Sequence, residues 1–163
     1  MLRLNVGHVL SRSVGFIRQV RFSGEQVTVA SDLVLTRLAS ETQLTRTPQG
    51  ILLEGTIDTT RGMECVRCLA EYTLTAEMDI SELYTYPPEP EVEWTVDEDC
   101  VLNLAPLLRE LLLVEEPIQA LCSPDCKGLC TACGQDWNLD GCPCPREGGD
   151  ARFAVLQELL KAD

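Results

Sequence analysis

Apolar and polar positions along the chain alternate in some stretches and follow a helical period in others. Tyr72, Leu74, Ala76, Met78 and Ile80 alternate with Thr73, Thr75, Glu77 and Asp79. A period of two predicts a strand with one buried and one wet face. Residues 42–47 and 51–59 read as two further strands, joined across the turn-forming trio Pro48-Gln49-Gly50. Residues 26–38 suggest another strand with unclear ends, and Leu2, Leu4 and Val6 alternate like one. Farther along, residues 100–102 read as a short strand. Leu104, Leu107, Leu108, Leu111 and Leu112 then fall at helical spacing, with Pro106 acceptable in the first turn and Pro117 as the stop. Phe153, Leu156 and Leu160 mark a last helix over residues 151–161, with Asp150 as its N-cap. Residues 86–99, rich in proline and acids, read as an exposed linker. No internal repeat is visible.

These elements predict an α+β fold: an antiparallel β-sheet body with two packed helices and a Cys-rich zinc-binding loop region. Residues 1–117 form the mostly β domain ending in the Leu-rich helix, residues 118–149 the zinc loops, and residues 150–163 a C-terminal helix packing on the body. A length of 163 residues with 45% apolar content suits one such unit. No apolar run approaches the ~20 residues of a membrane-spanning helix. The first 24 residues carry four arginines and no acid, like an organellar transit peptide. Gly7, Gly15 and the β-branched residues argue instead for a structured segment, and no secretory signal is visible.

Net charge is −13 and unevenly spread. Residues 1–67 hold eight arginines against six acids, while residues 68–163 hold five basic residues against twenty acids. The second part repels phosphate backbones, whose neutralisation supplies most nucleic-acid affinity. It favours a basic partner, or serves only as a solvated face.

The cysteines carry the strongest chemical signal. Eight of the nine come in tight pairs: Cys65/Cys68, Cys122/Cys126, Cys130/Cys133 and Cys142/Cys144. Such spacings aim two thiolates at one ion, and four thiolates make a closed structural zinc site. Gly128 and Gly134 relieve the tight turns beside them. We favour two sites, Cys130/Cys133/Cys142/Cys144 and Cys65/Cys68/Cys122/Cys126. The rival is one ribbon-like site made by Cys65, Cys68, Cys130 and Cys133. Disulfides would need a secreted chain, an iron–sulfur cluster uses the same donors, and a redox C-x-x-C lacks its expected βαβ context. Cys100 stands alone in an apolar pattern and reads as a buried thiol. Catalysis finds little material: the one histidine, His8, reads as an ordinary surface or sheet residue, and no phosphate loop is present. The chain reads as no enzyme.

Three stretches carry a family resemblance. They are Cys65-Val66-Arg67-Cys68 entering a strand, Leu102-Asn103-Leu104 leading into the helix before Glu116-Pro117-Ile118, and Cys122-Ser123-Pro124-Asp125-Cys126-Lys127-Gly128-Leu129-Cys130-Thr131-Ala132-Cys133-Gly134. Phe153-Ala154-Val155-Leu156 adds a fourth. Together they resemble the YceD-like family of large ribosomal RNA subunit accumulation proteins. The resemblance implies a non-enzymatic role in 23S ribosomal RNA accumulation, in the bacterial cytoplasm or a derived organelle. It also implies that Cys122 and Cys126 share a site with Cys65 and Cys68, since some members carry histidine at those two places. The partner expected is a basic ribosomal protein or a pre-ribosomal particle, with no membrane and no small-molecule substrate. The alternative is direct RNA binding through Arg12, Arg18, Arg21 and Arg37, whose guanidinium forks suit phosphates and bases.

Overall fold

The computed structural model describes residues 2–139 and 142–144. The helix expected over residues 151–161, and with it the C-terminal unit, lies outside the described residues. The elements are β1 (Arg3–Asn5), α1 (Gly7–Leu10), β2 (Ile17–Ala30), β3 (Leu33–Thr47), β4 (Gly50–Glu64), β5 (Glu71–Thr85), β6 (Val101–Asn103) and α2 (Ala105–Val114). Strands β2 to β5 form a four-stranded antiparallel meander, and β1 pairs with β6 in a small second sheet.

Register follows from the buried positions. Leu44 faces Leu53, Ser40 faces Ile57 and Ile57 faces Met78. Leu38, Leu44, Ile51, Leu53, Ile57, Met78, Ile80 and Tyr84 therefore share one face and are buried. The other face holds Glu41, Glu54, Asp58, Glu77 and Asp79. A one-residue slip would exchange the two sets, so burial fixes the pairing. The buried face joins one core with Val6, Val9 and Leu102 and with the α2 stripe of Leu104, Leu107, Leu108 and Leu112. Pro106 sits in the first turn of α2, and the Glu115 N–H closes its end on Leu111 at 2.9 Å.

Three sequence expectations change. Residues 26–38 are not one strand: β2 ends at Ala30, Ser31 and Asp32 form a two-residue turn, and β3 begins at Leu33. Short polar side chains favour such turns by bonding their own backbone. The linker 86–99 is not wholly exposed. Trp94 and Val96 fold back beside Thr85 through backbone bonds of 3.0 Å each, and Val96 is fully buried. Cys100 lies outside the strand, with φ of +57°, and is only half-buried.

Two ion pairs tie α2 and the chain just after it to the sheet. The Arg61 side chain on β4 is only 9% exposed and meets Glu116 at 3.3 Å. The Arg109–Asp32 pair, at 2.7 Å, is much more open to water. Breaking a buried pair strands a charge, whereas breaking an exposed one costs little. We expect Glu116→Ala to cost about 1–3 kcal/mol in urea unfolding, and Arg109→Ala less than about 1 kcal/mol. Equal costs would show that burial of Arg61 adds nothing to the pair.

Candidate metal centre

The hairpin β4–β5 does not close with an ordinary turn. Glu64 and Glu71 are its last paired residues, and residues 65–70 form the loop between them. The Cys65 N–H donates to Ala70 O at 2.9 Å, and the Leu69 N–H donates to Cys65 O at 2.9 Å. Leu69 is driven to φ of +59°. Sixty-five residues later the chain makes the same turn. There the Cys130 N–H donates to Gln135 O and the Gly134 N–H to Cys130 O, both at 2.8 Å, with Gly134 at φ of +73°. The fold thus contains a short structural repeat. Its two copies share only their cysteines, Cys-Val-Arg-Cys-Leu-Ala against Cys-Thr-Ala-Cys-Gly-Gln.

The turn aims backbone N–H groups at sulfur. Burial pushes the Cys65 thiol up, but the N–H groups of Cys122, Cys68 and Arg67 outweigh it and bring it down to about 6. The N–H groups of Cys133 and Ala132 outweigh burial at Cys130 and bring it to about 6 as well. The Ala70 and Gln135 N–H groups lower Cys68 and Cys133, yet burial and neighbouring thiols leave both raised. Cys122 is pushed up to about 12 by Cys68, and Cys144 to about 12 by Cys133. Crowding several thiolates without a cation is unfavourable, so the later protons are hard to remove.

Each turn meets a second cysteine pair. Cys65, Cys68, Cys122 and Cys126 form one group; Cys130, Cys133, Cys142 and Cys144 form another; within each, all sulfurs lie within 4.8 Å of one another. Cys65 and Cys126 are 3.7 Å apart, Cys68 and Cys122 3.5 Å, and Cys133 and Cys142 3.7 Å. A tetrahedral ion with metal–sulfur bonds of about 2.3 Å has sulfur–sulfur edges of roughly 3.8 Å. The donor sets therefore fit one ion each. Bonded disulfide sulfurs sit at about 2.0 Å. The ribbon-like set of Cys65, Cys68, Cys130 and Cys133 is not brought together. The first group is the more enclosed, with Cys65, Cys68 and Cys126 buried against Tyr72, Leu121 and Leu129. In the second, Cys133 is exposed and Cys142 and Cys144 are half-buried.

Several contacts that the sequence did not signal hold the first group. The Arg67 guanidinium donates to Cys126 O at 2.9 Å, and the Val66 N–H to Ala120 O at 2.9 Å. Gly128, at φ of +76°, passes so close that a Cβ there would lie 3.1 Å from Arg67 O. The amide of Asn138 also reaches the Cys126 sulfur.

The four arginines considered for RNA do not converge. Arg21 is paired with Glu41 at 3.2 Å. Arg12 bonds His8 at 3.1 Å and stacks over Phe16. Arg18 faces Leu44 and Arg37 faces Glu25, so those two sit on opposite sheet faces and some seven residues apart along β3, roughly 23 Å. His8 is exposed on α1, as an ordinary surface residue should be.

Ion binding at neutral pH must displace the protons of at least Cys68 and Cys122 at one group and Cys133 and Cys144 at the other. Affinity should fall at least about a hundredfold per pH unit as pH drops from 8, at least two protons being taken back per site. Below about 6 the fall steepens, because Cys65 and Cys130 protonate too. In the metal-free chain, the stability that these two lowered thiols contribute is present above the ordinary thiol value and lost as pH falls through about 6. Competition against a chromophoric chelator across this pH range measures the slope, and a flat profile would contradict it.

Known proteins place this arrangement. The family model described as large ribosomal RNA subunit accumulation protein YceD matches residues 53–160. An uncharacterized protein of Mycobacterium tuberculosis is 32% identical over 126 residues, covering 69% of this chain and 56% of its own length. YlbN of Bacillus subtilis is 29% identical over 105 residues, covering 62% of the chain and 61% of YlbN. A chloroplastic YCED homolog 1 of Arabidopsis thaliana, a large ribosomal RNA subunit accumulation protein, is 34% identical over 58 residues, which is 36% of the chain and 18% of that protein. The chain thus spans a little over half the length of its mycobacterial relatives. No solved structure matches it. Because the family model covers well over half of the sequence and takes in all eight paired cysteines, the chain belongs to the YceD family.

Proposed function

We propose that this chain is a non-enzymatic ribosome-biogenesis factor that supports large-subunit ribosomal RNA accumulation by holding a basic ribosomal protein, or a pre-ribosomal particle displaying one. Family membership supports the ribosomal part of this reading. Two structural zinc ions hold the Cys-rich loops. Sulfurs within 4.8 Å leave room for one ion per group rather than a multi-iron cluster. Four thiolates fill a zinc ion's coordination, so no position is open for a hydrolytic water. The site of action is the cytoplasm. Among the described residues no helix is long and apolar enough to cross a membrane.

The observation that carries the partner reading is the charge on the exposed face of β4 and β5. Register sets Asp58 directly opposite Glu77 and Glu64 opposite Glu71, with Glu54 and Asp79 on the same face. Like charges directly opposite are unfavourable. Arg61 cannot offset them, because it points to the buried side and is already paired with Glu116. A cationic partner relieves this repulsion, whereas a phosphate backbone adds to it.

The test is binding of the purified chain to large-subunit ribosomal proteins at varied salt. We expect binding to weaken at least about tenfold between roughly 50 and 300 mM salt. The double reversal Asp58→Lys with Glu77→Lys should abolish most of the salt-sensitive part without changing metal content. Binding that ignores both salt and the reversal, or that prefers naked large-subunit RNA, would overturn the partner reading.

A further inference from the structure

Among the described residues, the Asn138 side chain links the loop of the second group to a sulfur of the first. Asn138 lies in the loop between Cys133 and Cys142, within the span that the second group closes. Its Nδ2 donates to the Cys126 sulfur of the first group at 3.4 Å. The orientation of the amide is fixed from both ends. The Lys127 N–H donates to Asn138 Oδ1 at 2.9 Å, so the oxygen faces the backbone and the nitrogen faces sulfur. Nδ2 also donates to Asp136 Oδ1 at 2.7 Å, and the same oxygen accepts the Asn138 N–H at 2.8 Å. The loop itself is held at its base, where the Trp137 N–H donates to Gly128 O at 2.9 Å and Leu129 bridges Asp136.

We infer that Asn138 is a positioning residue for the first metal site and couples the two sites, so that filling the Cys130/Cys133/Cys142/Cys144 group tightens metal binding at Cys65/Cys68/Cys122/Cys126. The inference rests on the two-metal reading above. A hydrogen bond behind a ligand orients it and stabilises its charge, and its loss typically costs ten- to a hundredfold in metal affinity. Here the donor is delivered by a loop whose ends the second ion draws together. The bonds at the loop's base remain when that ion is absent, but the clamp between Cys133 and Cys142 is lost, and the amide spends less time on Cys126. By reciprocity, metal at the first site favours the loop geometry that assembles the second.

The experiment uses the full chain in four forms: wild type, Asn138→Ala, Cys142→Ser with Cys144→Ser, and the three changes together. Metal content is measured first, and first-site affinity is then read by chelator competition. Two metals per chain in wild type and in Asn138→Ala, and one in the serine variant, establish the starting point. Any other count counts against the two-metal reading itself. Given those counts, Asn138→Ala should weaken the first site about tenfold or more. The serine pair should weaken it several-fold, and the triple change no further than the worse of the two, since both act through one contact. In cobalt-loaded serine-pair protein, adding Asn138→Ala should move the sulfur-to-cobalt charge-transfer band to lower energy, because a thiolate without its N–H donor is more electron-rich. Asn138→Asp, which sets an oxygen against the sulfur, should be worse than alanine. Full first-site affinity in Asn138→Ala, or effects that simply add, would overturn the inference while leaving the metal sites standing.

Discussion

The structure of the Cys-rich half depends on four sulfurs being held together across long stretches of chain. Cys65 and Cys126 are 61 residues apart and Cys68 and Cys122 are 54 apart, yet both pairs lie within 3.7 Å. Among the described residues after α2, few apolar side chains besides cysteine are buried: Ala120 is, while Ile118 stands fully exposed. Thiols crowded to this degree, two of them with their protons bound up to about 12, gain nothing from proximity unless a cation neutralises them. An ion bound there would supply folding energy that a small core does not, as in other small metal-held units. Once the first group is fixed, the hairpin end of β4–β5 is bound to the chain leaving α2, and Glu116 is held where it meets Arg61.

The repeated turn shows how a sheet is fitted with such a site. A six-residue loop that donates N–H groups to two sulfurs can be set at a hairpin end or in an irregular segment with the same internal bonds. The second copy has Gly134 at the left-handed position, where glycine is at no disadvantage; the first has Leu69 there, at a cost of roughly 1–2 kcal/mol. That strain persists because the flanking strands β4 and β5 and the backbone bonds of the loop over-determine the turn. The exposed, glycine-based copy and the enclosed, strained copy are accordingly not equivalent in their surroundings, and the contact through Asn138 runs between them.

Much of this was legible in the sequence, and the reasons differ by element. The alternation over residues 72–80 and the leucine stripe of α2 report burial on one face, which periodicity encodes directly. The cysteine pairs report their own geometry, because thiolates two to four residues apart share an ion with ease. The hairpin inside residues 26–38 was hidden, since Ser31 and Asp32 interrupt the apolar pattern only briefly. The folded-back Trp94 and Val96 were masked by the surrounding acids, and burial of a loop by tertiary contact leaves no periodic trace. The repeat was invisible because backbone hydrogen bonds, not side chains, define it. Asn138 sits in Asp136-Trp137-Asn138-Leu139, which reads as an ordinary turn, and its reach to Cys126 depends on contacts from elsewhere in the fold.

Charge then divides the molecule by task. Basic residues of the first part are used within the fold, as with Arg21, Arg61 and Arg67, while among the described residues no acid of the β4–β5 face is ion-paired. On the proposed reading, an acidic sheet beside metal-held loops suits a factor that holds basic partners, and the Cys-rich half needs its thiolates metal-bound. Elemental analysis together with X-ray absorption at the zinc and iron edges, on protein purified without added metal, tests this most directly. The account requires two zinc ions per chain, each in a shell of four sulfurs at about 2.3 Å. Iron with metal–metal scattering, oxygen or nitrogen in the shell, or no bound metal at all would contradict it.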